Sequence, residues 1–346
     1  MKKATNIFKF NILVLVILMV ILEVVLRVLG LGYGHAPLER HKVYHHVHPR
    51  NYLLTSYNPS REYGGFNIYY DDKRRACNPW HYETHERKTI KVAFLGDSFV
   101  EATQVSFGDS FVGRLEGKIK DINFVNYGVS GYSPCIYYLQ AKYDMVEEDK
   151  PDHVVMVLYS NDVREDNQYL ERAKYDDSGD LIAIDGGGNS KFVSLLRKSY
   201  FLRSVRKAQL VVGYCLKAKK AKRVIGGLVE EIPDISGTKT GMYILKTKSI
   251  LDNAAIAFTL TVIPSKYSHL HAYKPEDEFA KKVKHWAENN NIDFVDLHSS
   301  FREYALKSEK RLFYEQDIHL NSKGHQVIAD VFCDYFKSQY AISPDR

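Results

Sequence analysis

A serine becomes a nucleophile when a histidine takes its proton and a carboxylate orients that histidine. The 346-residue sequence supplies all three types. Ser98 follows Gly96-Asp97, and the segment Asp317-Ile318-His319-Leu320-Asn321-Ser322-Lys323-Gly324-His325 carries a carboxylate and two histidines near the far end. Such a set would attack an acyl carbonyl and hold the acyl group on serine. The order, serine first and then aspartate and histidine close together, differs from that of chymotrypsin-like enzymes, and Ser98 lacks the G-x-S-x-G elbow of α/β-hydrolases. The four cysteines, Cys77, Cys135, Cys215 and Cys333, form no C-x-x-C pair, which argues against a zinc ribbon or thioredoxin-type centre and for small buried hydrophobes. No cofactor or metal is expected.

The chain between these residues must carry them to one place. Lys91-Val92-Ala93-Phe94-Leu95 is a short apolar run stopped by Gly96-Asp97-Ser98, which predicts a buried strand. Residues 109 to 120 read as a helix, Asn123 to Tyr127 as a second strand ending at Gly128, residues 136 to 148 as a helix, and His153 to Tyr159 as a third strand ending at Ser160-Asn161-Asp162. After a long interruption come a helix over 239–252, a fourth strand over Ala255 to Ile263 and a helix over 275–290. A fifth short strand over Asp293 to Leu297 and a closing helix over Ser322 to Tyr340 complete the pattern. Strands alternating with helices predict a mostly parallel sheet covered on both faces, an open doubly wound α/β domain. Ligands bind such sheets beyond the carboxyl ends of the strands. Ser98, Gly128 and Asn161 would therefore share one rim, with the loop before the closing helix aiming a histidine at it.

With Gly96-Asp97-Ser98-Phe99, Gly128 in Asn126-Tyr127-Gly128-Val129-Ser130-Gly131, Asn161-Asp162, and Asp317 with His319, the chain resembles the SGNH family of GDSL-type hydrolases. The resemblance covers residues 89 to 340, the interruption excepted. It implies a three-layer, flavodoxin-like fold around a mostly parallel five-stranded sheet. It also implies Ser98 as nucleophile, His319 as base and Asp317 as its orienter, with the Ser98 N–H, the Gly128 N–H and the Asn161 side-chain amide as an oxyanion hole. Two positions depart from the family pattern. The common last block has Asp three residues before His, where this chain has Gln316, and its D-x-H spacing is similar to that of membrane-associated SGNH-like polysaccharide O-acetyltransferases. Tyr159 stands where many members carry Gly, two residues before the Asn. There are also internal rivals. Gly108-Asp109-Ser110-Phe111 repeats the first block letter for letter, but it follows no apolar strand and opens a helix, for which Asp109 is a natural N-cap. His325 competes with His319 but falls within the helix start, a structural position.

At the amino end, Lys2 and Lys3 precede an uninterrupted apolar run from Ile12 to Leu22. As a helix, Phe8 to Leu29 would rise about 33 Å, the thickness of the hydrocarbon core. Lys9 and Arg27 can snorkel at its ends, and Glu23 can pair with Arg27 four residues on. Residues 1–30 are therefore expected to be a single-pass membrane anchor. A cleaved signal peptide is disfavoured by the lack of a small-x-small site behind the run, and a buried core helix by the extreme terminal position. Lys2, Lys3 and Lys9 retained inside would place the remaining chain on the extracytoplasmic side, periplasmic or at the cell surface.

Residues 31–88 are rich in His, Tyr, Asn, Pro and Arg, with strand-like patches such as Phe66 to Tyr70, and read as a stalk and edge layer without evident chemistry. His41, His45, His46 and His48 read as a solvated loop in preference to a metal cluster. Residues 163–238 are too long for an ordinary connection and read as an insertion beside the site. Within them, Lys191 to Arg223 hold eleven positive residues and no acid, interleaved with Leu195, Leu196, Phe201, Leu202, Val205, Leu210, Val211 and Leu216 as in amphipathic helices. Against a net charge of +6, this leaves the rest of the chain at −5. The basic stretch reads as a solvated helix face packed on the domain, with contact to anionic lipid headgroups or an anionic polysaccharide as alternatives. Nucleic acid is disfavoured for a chain delivered across a membrane.

Hydrophobic residues at 45% and charged residues at 26% are ordinary globular values and exclude a disordered, collagenous or multi-span protein. The sequence predicts a membrane-anchored, extracytoplasmic serine esterase that removes O-acyl groups, O-acetyl in the first instance, from a carbohydrate or cell-envelope glycan. An O-acetyltransferase using the same triad is one alternative. A non-catalytic module that binds a glycan or a partner is the other.

Overall fold

A computed structural model of the chain describes residues 2–34, 37–78, 90–188, 196, 198–218, 235–266, 275–307 and 311–342. The amino-terminal run forms α1 (Lys2–Val28), whose apolar side chains are exposed along its length. The next residues form a small layer: β1 (Glu39–Arg40) pairs with β2 (His46–Val47), and β3 (Tyr52–Tyr57), β4 (Gly64–Tyr70) and β5 (Ala76–Cys77) make an antiparallel sheet. Its register sets Leu54 opposite Ile68, and these two with Tyr70 and Ala76 form a small core of their own.

The main sheet begins with β6 (Ile90–Leu95), β7 (Ile122–Asn126) and β8 (His153–Leu158). A hairpin of β9 (Ala173–Tyr175) and β10 (Leu181–Ile184) follows, and then β11 (Ala257–Val262) and β12 (Asp293–Val295) rejoin the main sheet. The order is β12-β11-β8-β6-β7 and every pair is parallel. Strands buried on both faces must be apolar throughout, and β8 shows the division. Val154, Met156 and Leu158 enter one hydrophobic layer while Val155 and Val157 enter the other.

Between the strands run α2 (Ser98–Glu101), α3 (Phe111–Lys118), α4 (Pro134–Gln140), α5 (Asp162–Leu170), α6 (Tyr200–Ala218), α7 (Lys239–Asn253), α8 (Pro275–Asn289), α9 (Leu297–Lys307) and α10 (Ser322–Gln339). Tyr137 of α4, Ile244 of α7 and Val283 of α8 cover one face; Phe111 of α3, Phe301 of α9 and Phe332 of α10 cover the other. The result is the expected three-layer, doubly wound, flavodoxin-like fold. Its chain passes from β6 outward to β7 and then back across to β8, so the crevice between the ends of β6 and β8 is the switch point where such folds place their chemistry.

Several local expectations need correction. The fifth strand stops at Val295, because Asp296 caps a helix instead, accepting from Ser299 N at 3.2 Å. The helix after Ser133 widens into a π-helical segment over Ala141–Asp149. The insertion begins as an ordinary helix, α5, and its hairpin joins the core through Leu181 and Ile184. His46 and His48 do not lie in a solvated loop: both are buried, His48 stacked on Tyr70 at 4.1 Å between ring centres and His46 Nε2 bonded to Ser130 O at 3.0 Å. Cys135 and Cys333 are buried, but Cys77 is half-buried and Cys215 exposed.

In the basic stretch, Lys191, Arg197, Lys219, Lys220, Lys222 and Arg223 lie outside the described residues. The remainder is α6, which packs on the small layer. Arg203 is buried with its guanidinium 4.3 Å from the Tyr52 ring centre, and Lys207 sits 3.3 Å over Tyr33. The amino end of α6 meets the end of α1, where Glu23 pairs with Arg27 at 2.7 Å and accepts from Ser199 Oγ, Tyr200 N and Phe201 N at 2.9, 3.1 and 2.8 Å.

Candidate active site

The turn after β6 is built for close approach. A Cβ on Gly96 would lie 2.1 Å from Val100 Cγ2, so only glycine fits between strand and helix. Asp97 caps α2, its Oδ1 accepting from Phe99 N at 2.9 Å, and burial pushes its carboxyl up to about 6. Phe99 and Val100 plug into the core, and Ala102 ends the helix in the left-handed region at φ 59°. Ser98, between these anchors, is left half-buried at the rim.

His319 comes to it from the loop before α10. Its Nε2 lies 2.7 Å from Ser98 Oγ, its Nδ1 lies 2.5 Å from Asp317 Oδ1, and its ring sits 5.0 Å from that of Phe99. The same Asp317 oxygen accepts the His319 backbone N–H at 3.0 Å, so the two-residue spacing closes a tight turn around one carboxylate. Burial alone would raise the Asp317 pKa, but the hydrogen bond and charge of His319 hold it at about 2. A carboxylate kept ionised there favours the tautomer with hydrogen on Nδ1, which frees Nε2 to accept from Ser98. Gln316, at the family's usual aspartate position, instead accepts a hydrogen bond from the Tyr214 hydroxyl of α6.

The small amino-terminal layer holds this loop. Asp317 Oδ2 accepts from Tyr63 OH at 3.0 Å and from Asn58 Nδ2 at 3.4 Å. Glu62 accepts the backbone N–H groups of Glu315 and Gln316 at 2.6 and 2.9 Å, while Lys266 donates to the carbonyls of Glu315 and Asp317 at 2.5 and 3.2 Å. The edge layer, read from sequence as without chemistry, therefore supplies three of the groups that position the histidine. Asn58, Glu62 and Tyr63 carried no local signal, since their partners lie at the opposite end of the chain.

The three expected oxyanion donors sit at the ends of β6, β7 and β8. The Ser98 N–H has no acceptor among the described residues. A Cβ on Gly128 would lie 2.3 Å from Glu101 N, which brings that backbone hard against α2, but its N–H already donates to Asn126 Oδ1 at 2.9 Å. Asn126 in turn donates to Val100 O at 2.7 Å, tying β7 to α2. Asn161 Nδ2 spends one hydrogen on Glu165 Oε1 at 2.7 Å and keeps the other. Burial first, and then the charge of Asp97, push Glu165 up to about 7. Glu165, one helical turn after Asn161, was reachable by the four-residue spacing rule.

The rivals stay apart from this set. Ser110, not Asp109, is the N-cap of α3: its Oγ accepts from Gly113 N at 3.1 Å and donates to Phe107 O at 2.6 Å. Asp109 instead accepts from Arg114 and Ser106 at 2.6 and 2.9 Å. His325 is buried against Phe111, whose N–H its Nδ1 accepts at 3.4 Å, and burial drives its pKa down to about 3.

Residues 94–327 match the family model of GDSL-like lipases and acylhydrolases. No curated protein matches the sequence. Solved structures of similar fold include a member of the lipolytic G-D-S-L family from Veillonella parvula, at 14% identity over 72% of this chain and 99% of that one, with a TM-score of 0.44. A catalytic mutant of an acetylxylan esterase from Geobacillus stearothermophilus aligns at 17% identity over 75% and 97%, with a TM-score of 0.43. The psychrotrophic esterase EstA from a Pseudoalteromonas species aligns at 16% over 72% and 98%, with a TM-score of 0.41. The family match takes in the sheet, the Ser98 turn and the Asp317 loop, and on it the chain belongs to the GDSL-like lipase/acylhydrolase family of ester-bond hydrolases.

Proposed function

We propose that the protein is a membrane-anchored serine esterase, active outside the cytoplasm, that removes O-acyl groups, acetyl foremost, from a carbohydrate or envelope glycan. The observation that carries this reading is the unbroken hydrogen-bonded series from Ser98 Oγ through His319 to Asp317. Ser98 Oγ attacks the acyl carbonyl as His319 Nε2 takes its proton. The same proton passes to the departing sugar oxygen, leaving the acyl group on Ser98. Water then gives a proton to His319 and attacks the acyl-enzyme, and His319 returns that proton to Ser98 Oγ as the Oγ–acyl bond breaks and the free acid leaves. Charge on the tetrahedral oxygen is met by the Ser98 N–H and the spare Asn161 N–H; Gly128 joins them by turning its N–H from Asn126.

The membrane part rests on α1. Asn6–Val28 is long and apolar enough to span, and none of it is buried in the protein. The contact of α1 with α6 supports a lipid role for the basic stretch over a polysaccharide groove: α6 starts beside the last turns of α1, and its open side exposes Leu202, Val205, Val212 and Leu216. Such a helix suits the headgroup boundary.

Hydrolysis of an aryl acetate by the full-length protein in detergent tests the chemistry, and equal rates for wild type and Ser98→Ala would overturn it. Release of the full chain from membranes by carbonate would overturn the anchor. The D-x-H spacing keeps acyl transfer as a second reading. Acetylation of an added glycan at the expense of free acetate would favour it.

A further inference from the structure

A well-formed cavity among the described residues lies away from Ser98. It measures about 410 Å³ and lies between residues 41–50, the turn after β4 and the π-helical continuation of α4. Gly128 and Val129 line it, so it shares a wall with the catalytic rim. Pockets of this size hold small organic ligands.

Most of its charges are already satisfied. Arg75 pairs with Asp71 and Asp149 at 2.8 Å each, and Lys73 with Asp149 and Glu148. Asp144 accepts from Tyr44 OH at 2.7 Å, and burial raises its carboxyl to about 6. Two cations are left over. Arg50 and Arg74 both line the cavity, and among the described residues neither side chain makes a hydrogen bond or ion pair. Burial, and then the charge of Arg50, lower the pKa of Arg74, and the same two arginines lower that of His41 after burial. Glu39 and Asp144 offset this only from a distance, since neither guanidinium has a carboxylate in ion-pair contact among the described residues, and a bound anion would supply one.

The turn also presents Arg74 deliberately. Its φ is 71°, in the left-handed region that a non-glycine residue adopts only when its surroundings impose it. Asp71 imposes it, accepting Arg74 N at 3.0 Å through its carbonyl and Arg75 N at 2.8 Å through its carboxylate. On the opposite wall, Gln140 is 4% exposed and its Oε1 has no hydrogen-bond partner. Tyr44 and His41 stack at 5.2 Å and offer a flat apolar surface. A bare inorganic anion would use the arginines but leave Gln140 Oε1 unmatched and the spare acceptor capacity of Asp144 and Glu148 unused. A sugar that carries a carboxylate uses both sets.

We propose that this cavity is a saccharide subsite for an anionic sugar unit, its carboxylate between Arg50 and Arg74 and its hydroxyls donating to Asp144, Gln140 and Glu148. The assignment rests on the carbohydrate reading above and narrows it to an acidic glycan. Calorimetry on the full-length protein in detergent compares a β-1,4-linked glucuronate trimer with cellotriose, which carries a neutral hydroxymethyl group in place of each carboxylate. The glucuronate trimer is expected to bind about tenfold or more tightly, the scale of one lost charge-assisted contact. Arg50→Gln and Arg74→Gln should each reduce its affinity toward that of cellotriose while leaving aryl acetate hydrolysis unchanged. Arg50 is exposed, so its variant keeps the test independent of the strained turn. Equal binding of the two trimers, unaltered binding by both variants, or inorganic phosphate binding as tightly as the glucuronate trimer would each overturn the subsite. Glucuronate binding that persists in a protein without esterase activity would uphold the subsite and sink the esterase reading alone.

Discussion

The chain contains Gly-Asp-Ser-Phe twice, at 96–99 and 108–111, and the two copies have opposite fates. In each, an aromatic ring lies beside a histidine from the region before or within α10: Phe99 beside His319 at 5.0 Å and Phe111 beside His325 at 6.0 Å. The first copy ends a parallel strand at the switch point, so its serine hydroxyl is free to meet Nε2. In the second, the serine caps α3 and gives its hydrogen to Phe107 O. Its histidine is sealed in the core. Four identical letters thus become a serine facing a histidine or a helix cap according to what precedes them, and only the strand end leaves the hydroxyl without local work.

That contrast breaks if the two serines respond alike. Ser98→Ala should lower kcat by about six orders of magnitude, as removal of a triad serine does, whereas Ser110→Ala should leave kcat within about twofold and reduce stability by about 1 kcal/mol through the lost cap. A matching loss of turnover in both, measured on an aryl ester, would remove the distinction.

The acids come next. Asp317→Asn should cost about 10³-fold or more in kcat by favouring the wrong tautomer, and Asp109→Asn almost nothing. Because Asp317 is depressed from 3.8 to about 2, its stabilising ionisation is complete above its ordinary value and is lost as pH falls through about 2. The melting temperatures of wild type and Asp317→Asn should therefore differ at pH 5 and converge toward pH 2.

A smaller effect sharpens the picture at the rim. Glu165→Ala frees the Asn161 amide and should lower kcat by about tenfold with little change in KM, the scale of weakening one oxyanion donor, while Glu165→Gln retains most activity. Equal losses in both variants would mean Glu165 does more than hold Asn161. The smallest effect falls on the sealed histidine. Its pKa is lowered from 6.5 to about 3, so the unfolded chain takes up the proton first and stability declines as pH falls from about 6.5 toward 3. His325→Gln should flatten that decline in thermal melts at unchanged kcat; a changed kcat would give the second copy a catalytic role.

The sheet was legible because strands buried on both faces read as apolar runs, and all five appear within a few residues of expectation. Ser98, Asn161, Asp317 and His319 were legible because each stands beside a strand end or a helix start. The amino-terminal layer was not. Its strands bury residues in consecutive runs, Leu54 to Tyr57 among them, and not in clear alternation, and its purpose lies in contacts to the far end of the chain. The buried His48 shows the same difficulty: its place depends on Glu101 and Tyr70, which no spacing around His48 encodes.

Glu23 gives α1 a mechanical role in the fold. It is the acceptor for the first amides of α6, and α6 reaches the catalytic loop through Tyr214 on Gln316. Helix ends need such acceptors. α1 and the loop before α10 are therefore two ends of one lever. Removing the first thirty residues would take away that acceptor, so the shortened protein would differ from the full chain in how firmly the loop before α10 is braced.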